Sequence, residues 1–309
     1  MSTTAASPPK AVTRPGDRIF SGASVGSGIL ILATLAGVAA FLLWQALPAL
    51  VAAPEDIPGG MGLTAYIAPF LFGTIFSATI ALVIAVPLSI GIALFITHYA
   101  PRKLAQALGY LIDLLAAVPS LIFGLWGKDV LAPATVPVML WLEKYLGFLP
   151  FFSGPVTVTG RTMLVVGIVL AVMILPIMTA VNREVFLQTP RLQEEAALAL
   201  GATRWEMIKM SVIPFGKSGV ISGAMLGLGR ALGETMAVAI VLSPAAVITL
   251  NTVGSTNSGT IAGNIALQFP ESSGLAVNAL VASGLVLFAL TLAVNMLARW
   301  IISRGTVKA

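Results

Sequence analysis

Six stretches of mainly apolar residues divide the chain, at roughly 28–52, 67–97, 104–127, 162–182, 218–243 and 274–298. About 20 apolar residues in helical form cross a bilayer, so the pattern predicts six transmembrane helices and an all-α polytopic fold. No charge occurs between Ile57 and Thr97, and the second helix therefore reads as long or tilted. The first stretch is too long for a signal-peptide core and no small-residue cleavage site follows it, so it reads as a retained span. Residues 1–18, with Ser, Thr and three Pro, predict a disordered terminus ahead of one transmembrane domain over 19–309. Between the spans, 53–66 carries Glu55 and Asp56, and 128–161 holds a short amphipathic helix, Val136 to Leu146, before a break at Gly154-Pro155. The polar run from Asn251 to Asn264 reads in two ways, as a mobile surface loop or as a docking surface for an external partner. No repeat of 20–50 residues and no duplicated half is visible, which argues against an inverted-repeat carrier.

Composition agrees with the pattern: 58% of residues are hydrophobic, only 9% are charged, and the mean hydropathy is +0.99. A soluble fold cannot cover its surface with so little charge. The net charge of +5 hints at nucleic acid until the cations are placed. Lys10, Arg14 and Arg18 precede span 1, and Arg102 and Lys103 follow span 2. Arg183, Arg191, Arg204, Lys209 and Lys217 follow span 4, and Arg299, Arg304 and Lys308 follow span 6. Lys128, Lys144 and Arg161 lie on the other side. The positive-inside rule then places both termini in the cytoplasm, and the basic balance is a topology signal. The absence of cysteine removes disulfides, thiolate metal sites and cysteine nucleophiles. A single histidine, His98 at the end of span 2, leaves little for a histidine metal site and reads as an interfacial polar residue.

The connection between spans 4 and 5, about 183–217, encodes two short helices. Thr189 is placed to cap a helix starting at Pro190, with Glu194 and Glu195 in its early turns and Gly201 as its C′ residue. Thr203 to Glu206 forms a capping box for a second helix, which is expected to stop near Pro214 and Gly216. Ala196, Ala197 and Ala199 give the first helix a small-residue face that another protein can approach closely. Gly216-Lys217-Ser218 ends like a phosphate-binding loop, but Ser211 replaces its first glycine and a helix precedes it. The Gly227, Gly229 and Gly233 cluster has the wrong spacing for a dinucleotide fingerprint and lies inside a span.

Three charges fall well inside the predicted spans: Asp113, Arg230 and Glu234. Charges there are costly and are functional by default. Arg230 and Glu234 are four residues apart, on one face of a continuous helix. Counting from the span ends at 1.5 Å per residue, Arg230 is about 18 Å deep and Asp113 about 14 Å, so Asp113 is expected to reach Arg230 if spans 3 and 5 pack together. An arginine in this position binds an oxyanion, with Glu234 or Asp113 holding it in the anion's absence, or else forms a purely structural pair. Gly219, Gly223 and Gly227 repeat every four residues and predict a closely packed helix interface. Pro87, Pro119 and Pro176 interrupt spans 2, 3 and 4 as kinks or flexing points.

Glu195-Ala196-Ala197-x-x-x-Gly201, closed by Ile213-Pro214, resembles the EAA loop of bacterial ABC importer permeases, with Ser211 and Ile213 where that pattern usually has Ile and Leu. Leu226 to Val238 and Ala116 to Gly127 resemble the PstC-type permeases of phosphate-specific ABC importers, and the similarity runs from about span 2 to span 6. The resemblance implies a non-catalytic subunit of the type I importer architecture in a bacterial plasma membrane. It implies that Glu195, Ala196, Ala197, Gly201 and Pro214 couple to an ATPase, and that Arg230 and Glu234 take part in phosphate translocation. Implied partners are a PstA-type permease, a homodimeric PstB-type ATPase that binds ATP and Mg, and a PstS-type phosphate-binding protein, with no cofactor in this chain. An importer of sulfate or molybdate, and an ATP-independent channel or carrier, are the alternatives.

Overall fold

The computed structural model describes residues 14–305, with side chains through Ser303. Lys10, Lys308 and the first thirteen residues of the predicted disordered stretch lie outside the described residues, as does the side chain of Arg304. Pro15 opens α1 (Pro15–Val51), where its missing N–H costs nothing, so the tail end of that stretch is helical. The other elements are α2 (Leu63–Leu94), α3 (Arg102–Ala116), α4 (Ser120–Trp126), α5 (Ala132–Leu146) and α6 (Met163–Leu187). They continue as α7 (Arg191–Ala199), α8 (Arg204–Met207), α9 (Ile213–Leu232), α10 (Met236–Val241), α11 (Ile261–Gln268) and α12 (Leu275–Gly305). Three π turns, at Phe95–Tyr99, Gly127–Leu131 and Ile208–Val212, extend α2 and join α4 to α5 and α8 to α9.

Six helices are long and apolar enough to cross a membrane, as the hydrophobic pattern predicts, but the third lies elsewhere than expected. It covers Ser120–Leu146 and takes in the helix predicted for the outer loop. The stretch before it, α3, has 15 residues and rises about 22 Å, short of the roughly 30 Å hydrocarbon core. Arg102, Gln106, Gly109 and Asp113 form a stripe down one side of α3. The helix ends before Val118-Pro119, because a proline disfavours helical backbone at the residue ahead of it. Asp113 therefore lies on a partial helix, exposed, rather than deep in a full span.

α6 is the axis of the bundle. It is apolar on all sides, and Val165, Val166, Val169, Leu170, Met173 and Ile174 are all 1% exposed or less. Ala78, Ala81 and Ala85 of α2 let that helix lie close on one side. On another side, Gly216, Gly219, Gly223 and Gly227 of α9 face Phe186, Val185, Val181 and Met178 of α6. A Cβ on Gly227 would come within 2.8 Å of the Met178 sulfur, so the glycine spacing sets this contact. α1 packs on α12 through small residues, with Ala46 and Ala49 in one cluster with Ala279 and Ala282, and its other faces are exposed.

The end of the bundle opposite α7 and α8 is closed by the segment after α10. β1 (Pro244–Ala245) pairs in parallel with β2 (Asn257–Ser258). Thr252, Val253, Asn257, Ser258, Thr260 and Ile261 are all buried. Asn257 Oδ1 accepts from the Met163 N–H at 3.0 Å, and its Nδ2 donates to the carbonyls of Arg161, Gly254 and Ser255. The Ile261 N–H donates to Thr74 Oγ1 at 2.9 Å. The polar run from Asn251 is thus an inward-folded plug rather than a mobile surface loop.

Candidate functional site

α9 does not continue through Glu234. Gly233 is its C-cap, and a break at 233–235 separates it from α10, a six-residue helix. Helix breaks at membrane depth are stable only where the freed backbone groups find partners. Here they do. Glu234, about 9% exposed, accepts the Ala237 N–H on its carboxylate at 3.0 Å and so caps the start of α10. At the other end, Arg161 Nε and Nη2 donate to the carbonyls of Val241 and Ile240 at 3.1 and 3.0 Å. An anion at the start and a cation at the end both match the helix dipole. Gly124 of α4 lets Ala237 approach so closely that a Cβ would sit 2.8 Å from its Cα.

Arg230 stays in the last turn of α9, half-buried, beside a cavity of about 480 Å³ with Ser222, Gly229, Ile177 of α6 and Asn295 of α12. Among the described residues it forms no ion pair, so the expected Arg230–Glu234 pair is absent. The helix end at Leu232 explains this: Glu234 has left the helical face and spends its carboxylate on α10. Asp113 does not join Arg230 either. It lines a separate cavity with Arg102 and Arg183, and the two cavities share no residue. The structure therefore brings Arg230 and Glu234 to one break and leaves Asp113 elsewhere.

The α7–α8 connection has two helices, with one start and one stop moved. Pro190 is the N-cap of α7, whose first helical residue is Arg191, and Thr189 does not cap. Its hydroxyl is buried without a partner among the described residues. Gly201 has φ +83°, the left-handed geometry that the predicted C′ position requires, and the Ala202 N–H returns to the Ala197 carbonyl. Thr203 and Glu206 form the predicted capping box. The second helix does not stop near Pro214, however. The π turn at 208–212 absorbs the lost N–H, and the chain runs on as helix from Arg204 to Leu232. Ala197 is buried on Met207 and Ile208, whereas Ala196 and Ala199 are exposed. Ser211 donates to the Gln193 carbonyl at 3.4 Å, joining the two arms. Outward from them point Leu192, Leu200 and Trp205, which are 80%, 90% and 57% exposed.

Comparisons with known proteins agree with this architecture. Residues 85–305 match the family described as binding-protein-dependent transport system inner membrane component. The phosphate transport system permease protein PstC 2 of Mycobacterium tuberculosis is 46% identical over 299 residues, covering 93% of this chain and 91% of that protein. The chain belongs to the PstC-type permease family. The PstC of Mycobacterium leprae is 47% identical, covering 93% of each chain. A solved bacterial alginate ABC transporter, in complex with an alginate-pentasaccharide-bound periplasmic protein, shares the fold at a TM-score of 0.64 and 16% identity, covering 95% of this chain and 96% of that one. The permease is thus a multi-pass membrane transport subunit of the ABC importer permease fold.

Two features of the permease escape sequence reasoning. His98 sits in the π turn that ends α2, and its Nε2 lies 3.5 Å from Glu194 Oε1 of α7. Its Nδ1 is 2.6 Å from Thr97 Oγ1, and its carbonyl accepts from Arg204 Nη1 of α8 at 3.4 Å. His98 therefore ties α2 to both arms of the α7–α8 connection. Nothing in the local pattern pairs residues so far apart in the chain. The second is Lys128–Asp129, an ion pair of 3.2 Å in the π turn of the third span. The sequence pattern places Lys128 in a loop; reading Pro119 as a break instead places both charges within the candidate span Ser120–Leu146.

Proposed function

We propose that this permease forms half of the membrane pathway of an ATP-driven importer of inorganic phosphate. The observation that carries the reading is a half-buried cation, Arg230, without a carboxylate partner at the break of the fifth span, in a chain whose relatives are named for phosphate transport. A guanidinium donates several hydrogen bonds to a tetrahedral oxyanion. Glu234 holds α10 in place, so that the break keeps its shape while an anion passes. No covalent chemistry is required of this chain. ATP and Mg belong to the partner ATPase.

The basic residues Arg102, Lys103, Arg183, Arg191, Arg204, Lys209 and Lys217 cluster at the α7–α8 end, which supports a cytoplasmic placement of that end and of both termini in a bacterial plasma membrane. Leu192, Leu200 and Trp205 then face the cytoplasm and offer an apolar surface to a homodimeric PstB-type ATPase. Glu195, Ala196, Gly201 and Pro214 shape that surface, and Ala197 anchors it. A PstA-type permease supplies the other half of the pathway, and a PstS-type protein delivers phosphate to the opposite end, where Phe148 and Val158 are 79% and 90% exposed.

The test is phosphate uptake into proteoliposomes carrying the permease with its partner subunits. Uptake is expected to need ATP and binding protein, to resist sulfate and molybdate, and to fail in Arg230→Gln. Uptake of sulfate at the same rate, or uptake without the ATPase, would overturn the assignment. Gly201→Asp is expected to block ATP-coupled uptake, because an L side chain is strained at φ +83°.

A further inference from the structure

Arg183 projects from α6 toward α3 near the α7–α8 end. Its Nε is fully sealed from solvent and has no hydrogen-bond partner, and among the described residues it forms no ion pair. The residue as a whole is half-buried, but a sealed N–H of a charged group without an acceptor is costly, and such groups are found with a partner. α3 is shaped to receive it. Gly109 leaves the space that Nη1 occupies, and a Cβ there would collide with that nitrogen. The guanidinium borders a cavity of about 580 Å³ whose polar lining includes Arg102, Gln106, Tyr110 and Asp113. Two arginines against one carboxylate leave a surplus of positive charge. Arg102, Gln106, Gly109 and Asp113 recur at helical spacing, so one side of α3 forms the polar wall, and Leu187 contributes to the apolar side.

We propose that this cavity is a binding site for a phosphate-bearing anion, separate from the Arg230 break. Arg183 and Arg102 hold its oxygens, and Gln106 and Tyr110 supply neutral hydrogen bonds. Basic pockets between transmembrane helices at the headgroup level take anionic lipid headgroups, and the same donors bind free phosphate. The position at the end of α6, with apolar residues beside the arginines, fits a lipid phosphate entering sideways. Inorganic phosphate from the aqueous side uses the same contacts. The site rests on the geometry of α3 and α6 alone, and its test involves no transport.

Native mass spectrometry of the full-length permease decides between the sources. Dioleoyl phosphatidylglycerol and inorganic phosphate are titrated separately, with dioleoylglycerol, which lacks the phosphate, as the control lipid. Phosphatidylglycerol is expected to be retained over dioleoylglycerol. Its retention is expected to fall about tenfold, or about 1.4 kcal/mol, in Arg183→Gln and in Arg102→Gln. Arg299→Gln, which removes an exposed cation of α12, is expected to retain the lipid as the wild type does. Gly109→Ala is expected to weaken binding with every charge still present, because it displaces the guanidinium. Arg102 is exposed, so its variant reports on binding even if Arg183→Gln or Gly109→Ala folds poorly. Loss of phosphate binding in the arginine variants, with phosphatidylglycerol unretained, assigns the site to the free anion. Equal retention of both probes by wild type and Arg102→Gln overturns the proposal. A partner carboxylate found against Arg183 in the assembled complex overturns it too.

Discussion

The two ends of this bundle differ in how far the chain satisfies itself. At the end closed by β1, β2 and α11, one buried asparagine, Asn257, bonds to Met163 and Arg161 at the start of α6 and to Gly254 and Ser255 of its own segment after α10. Nearby, Arg161 uses its guanidinium on the last carbonyls of α10. At the α7–α8 end, groups of every kind are left over: a sealed Arg183 Nε, a buried Thr189 hydroxyl and three widely exposed large apolar side chains. Buried polar groups in a finished structure are paired, and large apolar groups are covered. Both ends leave large apolar side chains exposed, Phe148 and Val158 at one and Leu192, Leu200 and Trp205 at the other, so the difference lies in the polar groups: one end satisfies its buried ones within the chain, and the other leaves some for something else.

The contrast can be tested by substitutions at each end. Asn257→Ala strips a partner from the Met163 N–H and three carbonyls at once, so it is expected to cost about 3 kcal/mol or more, seen as a lower Tm of the purified permease. An unchanged Tm would mean that this end is not self-contained. Arg230→Gln, at the break between the two ends, is expected to leave the Tm in place and to reduce phosphate uptake about 100-fold, or about 2.7 kcal/mol of barrier. Leu200→Glu lies at a 90% exposed position, so the Tm is expected to hold while ATPase capture weakens about tenfold in a pull-down titration. A Tm loss instead would show that Leu200 packs within the chain. His98→Ala removes the link between α2 and α7 and is expected to lower phosphate moved per ATP hydrolysed about threefold, with binding of the ATPase unchanged. Thr203→Ala removes one helix cap and is expected to cost about 1 kcal/mol, read as faster amide exchange confined to α8.

What the sequence shows follows the same divide. Spans, the α7–α8 connection and the glycine face of α9 are readable, because hydrophobic length, caps and small-residue spacing are local signals. The third span was displaced because α3 and α4 form one apolar run around Val118-Pro119, and run length outweighed the proline. Glu234 was assigned to a helix face because glycine is common within membrane helices, and only the fold shows that Gly233 ends α9. The His98–Glu194 contact and the bonds from Asn257 to Met163 and Arg161 join residues about a hundred positions apart, and no periodic pattern carries such pairs. The candidate site is therefore half legible: its residue types are visible in the sequence, and their partners are not.

The helix from Arg204 to Leu232 has a mechanical consequence. It carries the exposed Trp205 near one end and Arg230 near the other, with no loop between them. At 1.5 Å per residue those side chains sit about 38 Å apart on one rod. Under the proposed coupling, a tilt imposed at Trp205 by an ATPase would become a lever stroke at Arg230, with α6 as the fulcrum along the glycine face. In the same coupling, the π turn at 208–212 would be the compliant joint in that lever, setting how much of an ATPase's push arrives at the cation and how much is lost as bending.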